Sequence, residues 1–228
     1  PRLFKKQKIA FFLRADSNLY SSVASSLFEF KYFDIFKQLE DLLADLNQFS
    51  PDIIAAQPSL LMDICEASQQ GKVNLKVIQI ISFAEVLYKE NKEHISKVLQ
   101  ATVTEVYQCT EGFLGVTCKE GTMHLNEDFI KIDKEWIDET SFYPIITDFS
   151  RSSQPVVNYK LNDVLKIKKE GCKCGSPLEA IEQIIGRDDD VLIFQGKKIY
   201  SDKMIYIVNI KFIIILIYQI YPYFNLIT

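Results

Sequence analysis

What this chain lacks narrows its function first. It has no basic excess: 26 Lys and Arg stand against 30 Asp and Glu, a net charge of -4 at neutral pH. The two signs are interspersed, so the electrostatic footprint of a nucleic-acid binder is missing. Histidine is scarce, with only His94 and His124. His94 falls in a charged stretch beside Lys92 and Glu93, which leaves a nucleophilic cysteine without an evident imidazole partner. Five cysteines are an odd and small number for 228 residues, so they read as thiols or metal ligands and not as a disulfide framework. A reducing compartment, the cytoplasm, is the expectation. The opening Pro1-Arg2-Leu3-Phe4-Lys5-Lys6 has neither a secretory nor a transit pattern and no initiator Met, and reads as a cut inside a longer protein. No internal repeat and no Pro- or Ser-rich linker separates independent modules.

What is present is apolar enough, at 48% hydrophobic residues, to build a sizeable core. Short continuous apolar runs at Ile9–Leu13, Ile53–Ala56, Val77–Ile81 and Val103–Tyr107 have strand length. Between them come helical periods. One carries Ile35, Phe36, Leu39, Leu42, Leu43, Leu46 and Phe49 on one stripe, with Asp34 as N-cap and Ser50-Pro51 as its stop. A second runs from Ser59 to Gly71 and a third from Tyr88 to Leu99. Strands without polar alternation, separated by amphipathic helices, predict an α/β fold: a parallel sheet with helices on both faces. After Gly112, stretches at Thr122–Leu125, Phe129–Ile132, Tyr143–Phe149, Val156–Tyr159 and Val164–Ile167 predict a smaller, mostly antiparallel β subdomain. The expected parts are 1–112 (α/β), 113–203 (β-rich) and 204–228. The last is almost wholly Ile, Tyr, Phe, Asn and Leu, interrupted by Asn209, Lys211, Gln219 and Pro222. A translated frameshift or run-on, a buried element and a membrane anchor are all open readings of it.

Three short motifs carry the chemistry: Tyr107-Gln108-Cys109-Thr110-Glu111-Gly112, Asn162-Asp163 and Gly186-Arg187-Asp188-Asp189-Asp190. Singly, each is an ordinary strand end or charged turn. In this order they resemble the nucleotide-binding half of the adenylate-forming (AMP-binding) superfamily. Within it, the stretch from Pro1 to about Met204 is most similar to phenylacetate-CoA ligases and coenzyme F-390 synthetase-like proteins. That narrower likeness rests on Phe11-Phe12-Leu13-Arg14-Ala15 with Ser17-Asn18-Leu19-Tyr20, on Ser82-Phe83-Ala84-Glu85, on His124-Leu125-Asn126-Glu127-Asp128 and on Cys172-Lys173-Cys174-Gly175.

Such enzymes activate a small carboxylic acid with ATP, expelling pyrophosphate to give acyl-AMP, and pass the acyl group to coenzyme A or another acceptor. The chemistry needs phosphate and Mg²⁺ contacts beside a ribose clamp. The resemblance implies that Tyr107 stacks near adenine, Thr110 binds the α-phosphate and Glu111 holds Mg²⁺. It further implies that Asp163 accepts the ribose hydroxyls and that Arg187 reaches ribose or phosphate. Two positions depart from the pattern: Asn158 stands where an arginine is usual, and Gln108 where a glycine is common. The last 24 residues fall outside the likeness. A glycine- and hydroxyl-rich phosphate loop is expected upstream of this stretch and a small lysine-bearing domain downstream, so the chain reads as a fragment with little turnover of its own. The alternative is a non-catalytic nucleotide-binding remnant or pseudogene product.

Cysteine spacing adds a separate expectation. Cys118 and His124 flank a turn at Glu120-Gly121, and Cys172 and Cys174 form a tight pair, so the four could close a tetrahedral Zn²⁺ site. The family resemblance supports this; ordinary thiols are the other reading. Cys65 is expected in the core.

Overall fold

The computed structural model describes residues 6–14, 27–151, 153–194 and 197–200. Ser17–Tyr20 and the whole apolar segment 204–228 lie outside the described residues. The chain parts into two compact units. The first holds 1–128 and 171–180, the second 129–170 and 181–228.

The first unit is α/β with a mostly parallel sheet. Its strands are β1 (Gln7–Leu13), β2 (Phe28–Asp34), β3 (Ile53–Ala56), β4 (Gln79–Ser82) and β5 (Thr102–Cys109). They lie in the order β5-β4-β3-β1-β2 and every pairing among them is parallel. Helices α1 (Leu39–Phe49), α2 (Pro58–Gln69) and α3 (Lys89–Leu99) connect β2 to β3, β3 to β4 and β4 to β5. Each connection advances the same way across the sheet, and right-handed crossovers then put all three helices on one face. The side chains agree. Ala10, Ile54, Ile80 and Val103 are register partners on one face of the sheet. They share a single core with Leu42, Leu43 and Leu46 of α1, Leu61, Ile64 and Cys65 of α2, and Ile95 and Leu99 of α3. On the opposite face Ile9, Ile53 and Ala55 are also buried. The β1–β2 connection lies outside the described residues.

The expected helix beginning at Asp34 is corrected. Residues 28–34 form a strand, because Phe28, Phe30 and Tyr32 alternate with Glu29, Lys31 and Phe33 in strand period and pair with β1 through a Phe12–Phe33 stack at 4.7 Å. Asp34 instead closes a turn, its carboxylate accepting from the Phe36 N–H at 3.0 Å, and Phe36 is exposed. Helix α1 starts at Leu39, with Gln38 as its uncapped flank. Its stop at Ser50 is as expected: the left-handed φ of 52° breaks the helix while the Ser50 N–H donates to Leu46 O at 2.9 Å.

Beyond Cys109 the sheet turns antiparallel through β6 (Gly112–Thr117) and β7 (Met123–Leu125), which also belong to the first unit. The second unit contains β8 (Ile130–Trp136), β9 (Ser141–Asp148), β10 (Val156–Lys160), β11 (Asp163–Ile167) and β12 (Ala180–Arg187). Strand β9 is central: β8 pairs along one edge, β10 and β11 along the other, and β12 continues from β11. Every one of these pairings is antiparallel. A hairpin of β13 (Val191–Phe194) and β14 (Lys197–Tyr200) follows. Strands β6 and β12 answer to no expected run: two glycines dilute Gly112–Thr117, and Gly186-Arg187 reads as a turn. Asn158 sits at a bulge in β10 with φ of 49°. Asparagine tolerates that left-handed backbone better than an arginine would.

Candidate functional site

At the carboxyl edge of the parallel sheet, Ala56, Ser82 and Glu105 are register partners. Strand β5 runs four residues further, and Val106 to Cys109 pair with β6. Ligands of open α/β sheets bind at this edge. Tyr107 is buried in the extension and lies opposite Gly115. Thr110 and Glu111 are the two-residue turn between β5 and β6, Thr110 exposed and Glu111 half-buried. The Cys109 thiol is pushed up to about 11 by burial and by the neighbouring Glu111, which makes it a poor nucleophile.

The same edge holds Ser82-Phe83-Ala84-Glu85, to which the sequence alone gives no role. Ala84 adopts φ of 68°, and Glu85 accepts from both the N–H (3.0 Å) and the hydroxyl (2.9 Å) of Ser59 in the first turn of α2. A carboxylate there satisfies an orphan N–H and the positive helix end. The side-chain oxygens of Gln57 and Ser82 are buried with no hydrogen-bond partner among the described residues.

Asp163 and Arg187 come together in the second unit, where they are register partners of β11 and β12. Two of the three sequence motifs therefore meet. The Asp188 N–H donates to Asn162 O at 2.8 Å, and Asp189 Oδ2 accepts from Asn162 Nδ2 at 3.2 Å and Arg187 at 3.1 Å. Gly186 takes φ of 137°, a conformation reserved for glycine.

The four candidate metal ligands also converge, all in the first unit. Their ligand atoms lie within 4.8 Å of one another. Cys118 Sγ is 3.6 Å from Cys172 Sγ, and Cys174 Sγ is 3.3 Å from His124 Nε2. Tetrahedral bonds of about 2.3 Å to sulfur and about 2.0 Å to nitrogen place ligand atoms roughly 3.6–3.8 Å apart, so the set fits an ion of zinc's size. The groups that hold these ligands in place were not legible in sequence. His124 Nδ1 lies 3.0 Å from Leu178 O, which orients Nε2 toward the sulfurs. Cys118 and Cys172 each head a Cys-x-x-Gly turn: Gly121 N–H donates to Cys118 O (2.8 Å) and Gly175 N–H to Cys172 O (3.3 Å), with glycine φ of 74° and 81°. The Thr122 hydroxyl and the Cys174 N–H hold the Cys172 thiol down at about 6, so it is largely thiolate at neutral pH. Burial works against a charged His124, but hydrogen bonds to Cys172, Leu178 O and Cys118 prevail and raise it.

No protein-family profile matches the chain. Among curated proteins it is 24% identical over 175 residues to Protein CapK of Staphylococcus aureus, covering 73% of this chain and 38% of that one. It is 20% identical over 202 residues to the phenylacetate-coenzyme A ligase of Thermus thermophilus, covering 80% and 43%. Among solved structures, 2-hydroxyisobutyryl-CoA ligase in complex with an acyl-AMP superposes with a TM-score of 0.70 at 18% identity, over 85% of this chain and 46% of that one. In sequence and in fold the chain is similar to these ligases of the adenylate-forming type, and it spans less than half the length of each of them.

Proposed function

We propose that this stretch supplies the adenine-nucleotide contacts of an ATP-dependent ligase that converts a small carboxylic acid to acyl-AMP and pyrophosphate and passes the acyl group to coenzyme A or another acceptor. The observation that carries the reading is the placement of Tyr107-Gln108-Cys109-Thr110-Glu111 at the carboxyl edge of the parallel sheet, where a nucleotide belongs. Tyr107 stacks near adenine. Thr110, on the exposed turn, donates to the α-phosphate, and Glu111 holds Mg²⁺, which neutralises the phosphate charge that builds up as pyrophosphate departs. Asp163 accepts from the ribose hydroxyls, and Arg187 binds ribose or phosphate once it exchanges its Asp189 partner for the ligand. Cys118, His124, Cys172 and Cys174 hold a structural Zn²⁺. Four protein ligands close the sphere and leave no open position for catalysis. Partly exposed thiols suit the cytoplasm.

A second reading, nucleotide binding without turnover, is favoured by the Arg187–Asp189 pair at 3.1 Å, which holds the guanidinium in a protein contact. Two assays separate the readings. AMP or Mg²⁺–ATP stabilises the chain under both, by mass action. Carboxylate-dependent exchange of labelled pyrophosphate into ATP is expected only from the ligase. If nucleotide fails to stabilise the chain, both readings fall.

A further inference from the structure

We infer that Cys118 and Cys172 form a peroxide-sensitive latch: they close selectively to a disulfide, and the metal leaves as they do. The inference rests on the zinc reading for the metal alone; the pairing rests on geometry. Within the cluster, one sulfur–sulfur contact stands out. Cys118 and Cys172 meet sulfur to sulfur at 3.6 Å. Cys174 is engaged elsewhere, with His124 Nε2 at 3.3 Å and the Ser176 N–H at 3.4 Å. Both latch thiols are only half-buried, so a small oxidant reaches them, whereas Cys65 is buried in the core.

Closing the contact to a disulfide length of about 2.05 Å requires a shift of roughly 1.5 Å. The backbone on each side permits it. Each thiol heads a glycine-ended turn, and Gly171, next to Cys172, has nothing within 4 Å of where a side chain would stand. The Cys118–Cys172 contact is local in space and remote in sequence, since the two cysteines are 54 residues apart and the crosslink ties the β6–β7 turn to the 171–180 segment.

The oxidant is hydrogen peroxide or a peroxide of that class. One thiolate attacks a peroxide oxygen, giving a sulfenic acid and hydroxide, and the second thiolate displaces hydroxide from that sulfur. Two electrons leave the sulfurs, one sulfur–sulfur bond forms, and with two protons the peroxide departs as two waters. A metal with two of its four ligands removed is released.

The test uses the full chain. Zinc content is measured first by elemental analysis. Hydrogen peroxide is then titrated in while a chromogenic chelator reports free zinc, and intact mass and non-reducing peptide mapping report the thiols. The expected result is the loss of two hydrogen masses, one Cys118–Cys172 link, and one zinc freed per chain, with thiol reductant and added zinc reversing all three. Cys65→Ala retains the link, and Cys118→Ser loses it without creating a Cys172–Cys174 link. A different pairing, or sulfinic acid at either thiol with no link, overturns the latch. A chain that carries no zinc but forms the link refutes the zinc reading and leaves the latch standing; a zinc-loaded chain that forms no link does the reverse.

Discussion

Replacing Gly115 with alanine tests whether the approach of β6 to β7 is what places His124. A Cβ built at Gly115 falls 2.7 Å from the His124 carbonyl oxygen and 3.2 Å from Met123 Sδ. The methionine can swing aside. The carbonyl cannot, because it belongs to the strand that pairs Gly115 with Leu125 and Val116 with His124. The two strands must therefore part, at an overpacking cost of about 1–3 kcal/mol. For a chain of this size each kcal/mol lowers Tm by about 2–4 °C, so Gly115→Ala should melt roughly 2–12 °C below the parent. Moving β7 also pulls His124 Nε2 from Cys174 Sγ, so zinc content should fall with Tm. Gly171→Ala is the control: the site is open and its φ is ordinary, so Tm and zinc should both hold. Thermal denaturation with elemental analysis reads both quantities. If Gly115→Ala melts with the parent and keeps its metal, the close approach does not position the site.

Glu85→Ala removes the carboxylate that accepts from Ser59 and should destabilise the chain by about 0.5–1 kcal/mol, measured by urea denaturation; equal midpoints would show that solvent serves the α2 end as well. Asp138 is held down to about 2 by the backbone N–H groups of Thr140 and Ser141. Its folded value lies below the ordinary 3.8, so its contribution is present above that value and is lost as pH falls toward about 2. Asp138→Asn should therefore show a shallower loss of stability between pH 4 and 2 than the parent; identical acid limbs would place the transition on other carboxylates.

Much of the first unit was legible because buried parallel strands are continuous apolar runs, and Ile53–Ala56 is buried at all four positions. Helix ends were legible where backbone chemistry is local, as at Ser50 and Gly71. Strand β2 was missed because the pairing that decides it is with β1, remote along the chain, and the start of α1 was set too early because Ile35 and Phe36 extend its apolar stripe backward in sequence. The four metal-ligand candidates could be picked from their residue types. Their contacts with one another could not, since these depend on the return of residues 171–180 to the first unit. Glu85 was part of a quoted motif, yet its partner Ser59 lies 26 residues away and has no sequence signal.

The most direct test of the nucleotide assignment is calorimetric titration of AMP into the chain, with thermal denaturation alongside. A single saturable site is expected, with stabilisation of about 2.7 kcal/mol at a hundredfold excess over Kd, and the heat should be lost in Asp163→Ala. No heat and no shift in Tm at millimolar AMP would contradict the account: the fold would then be that of an adenylate-forming enzyme without its nucleotide site.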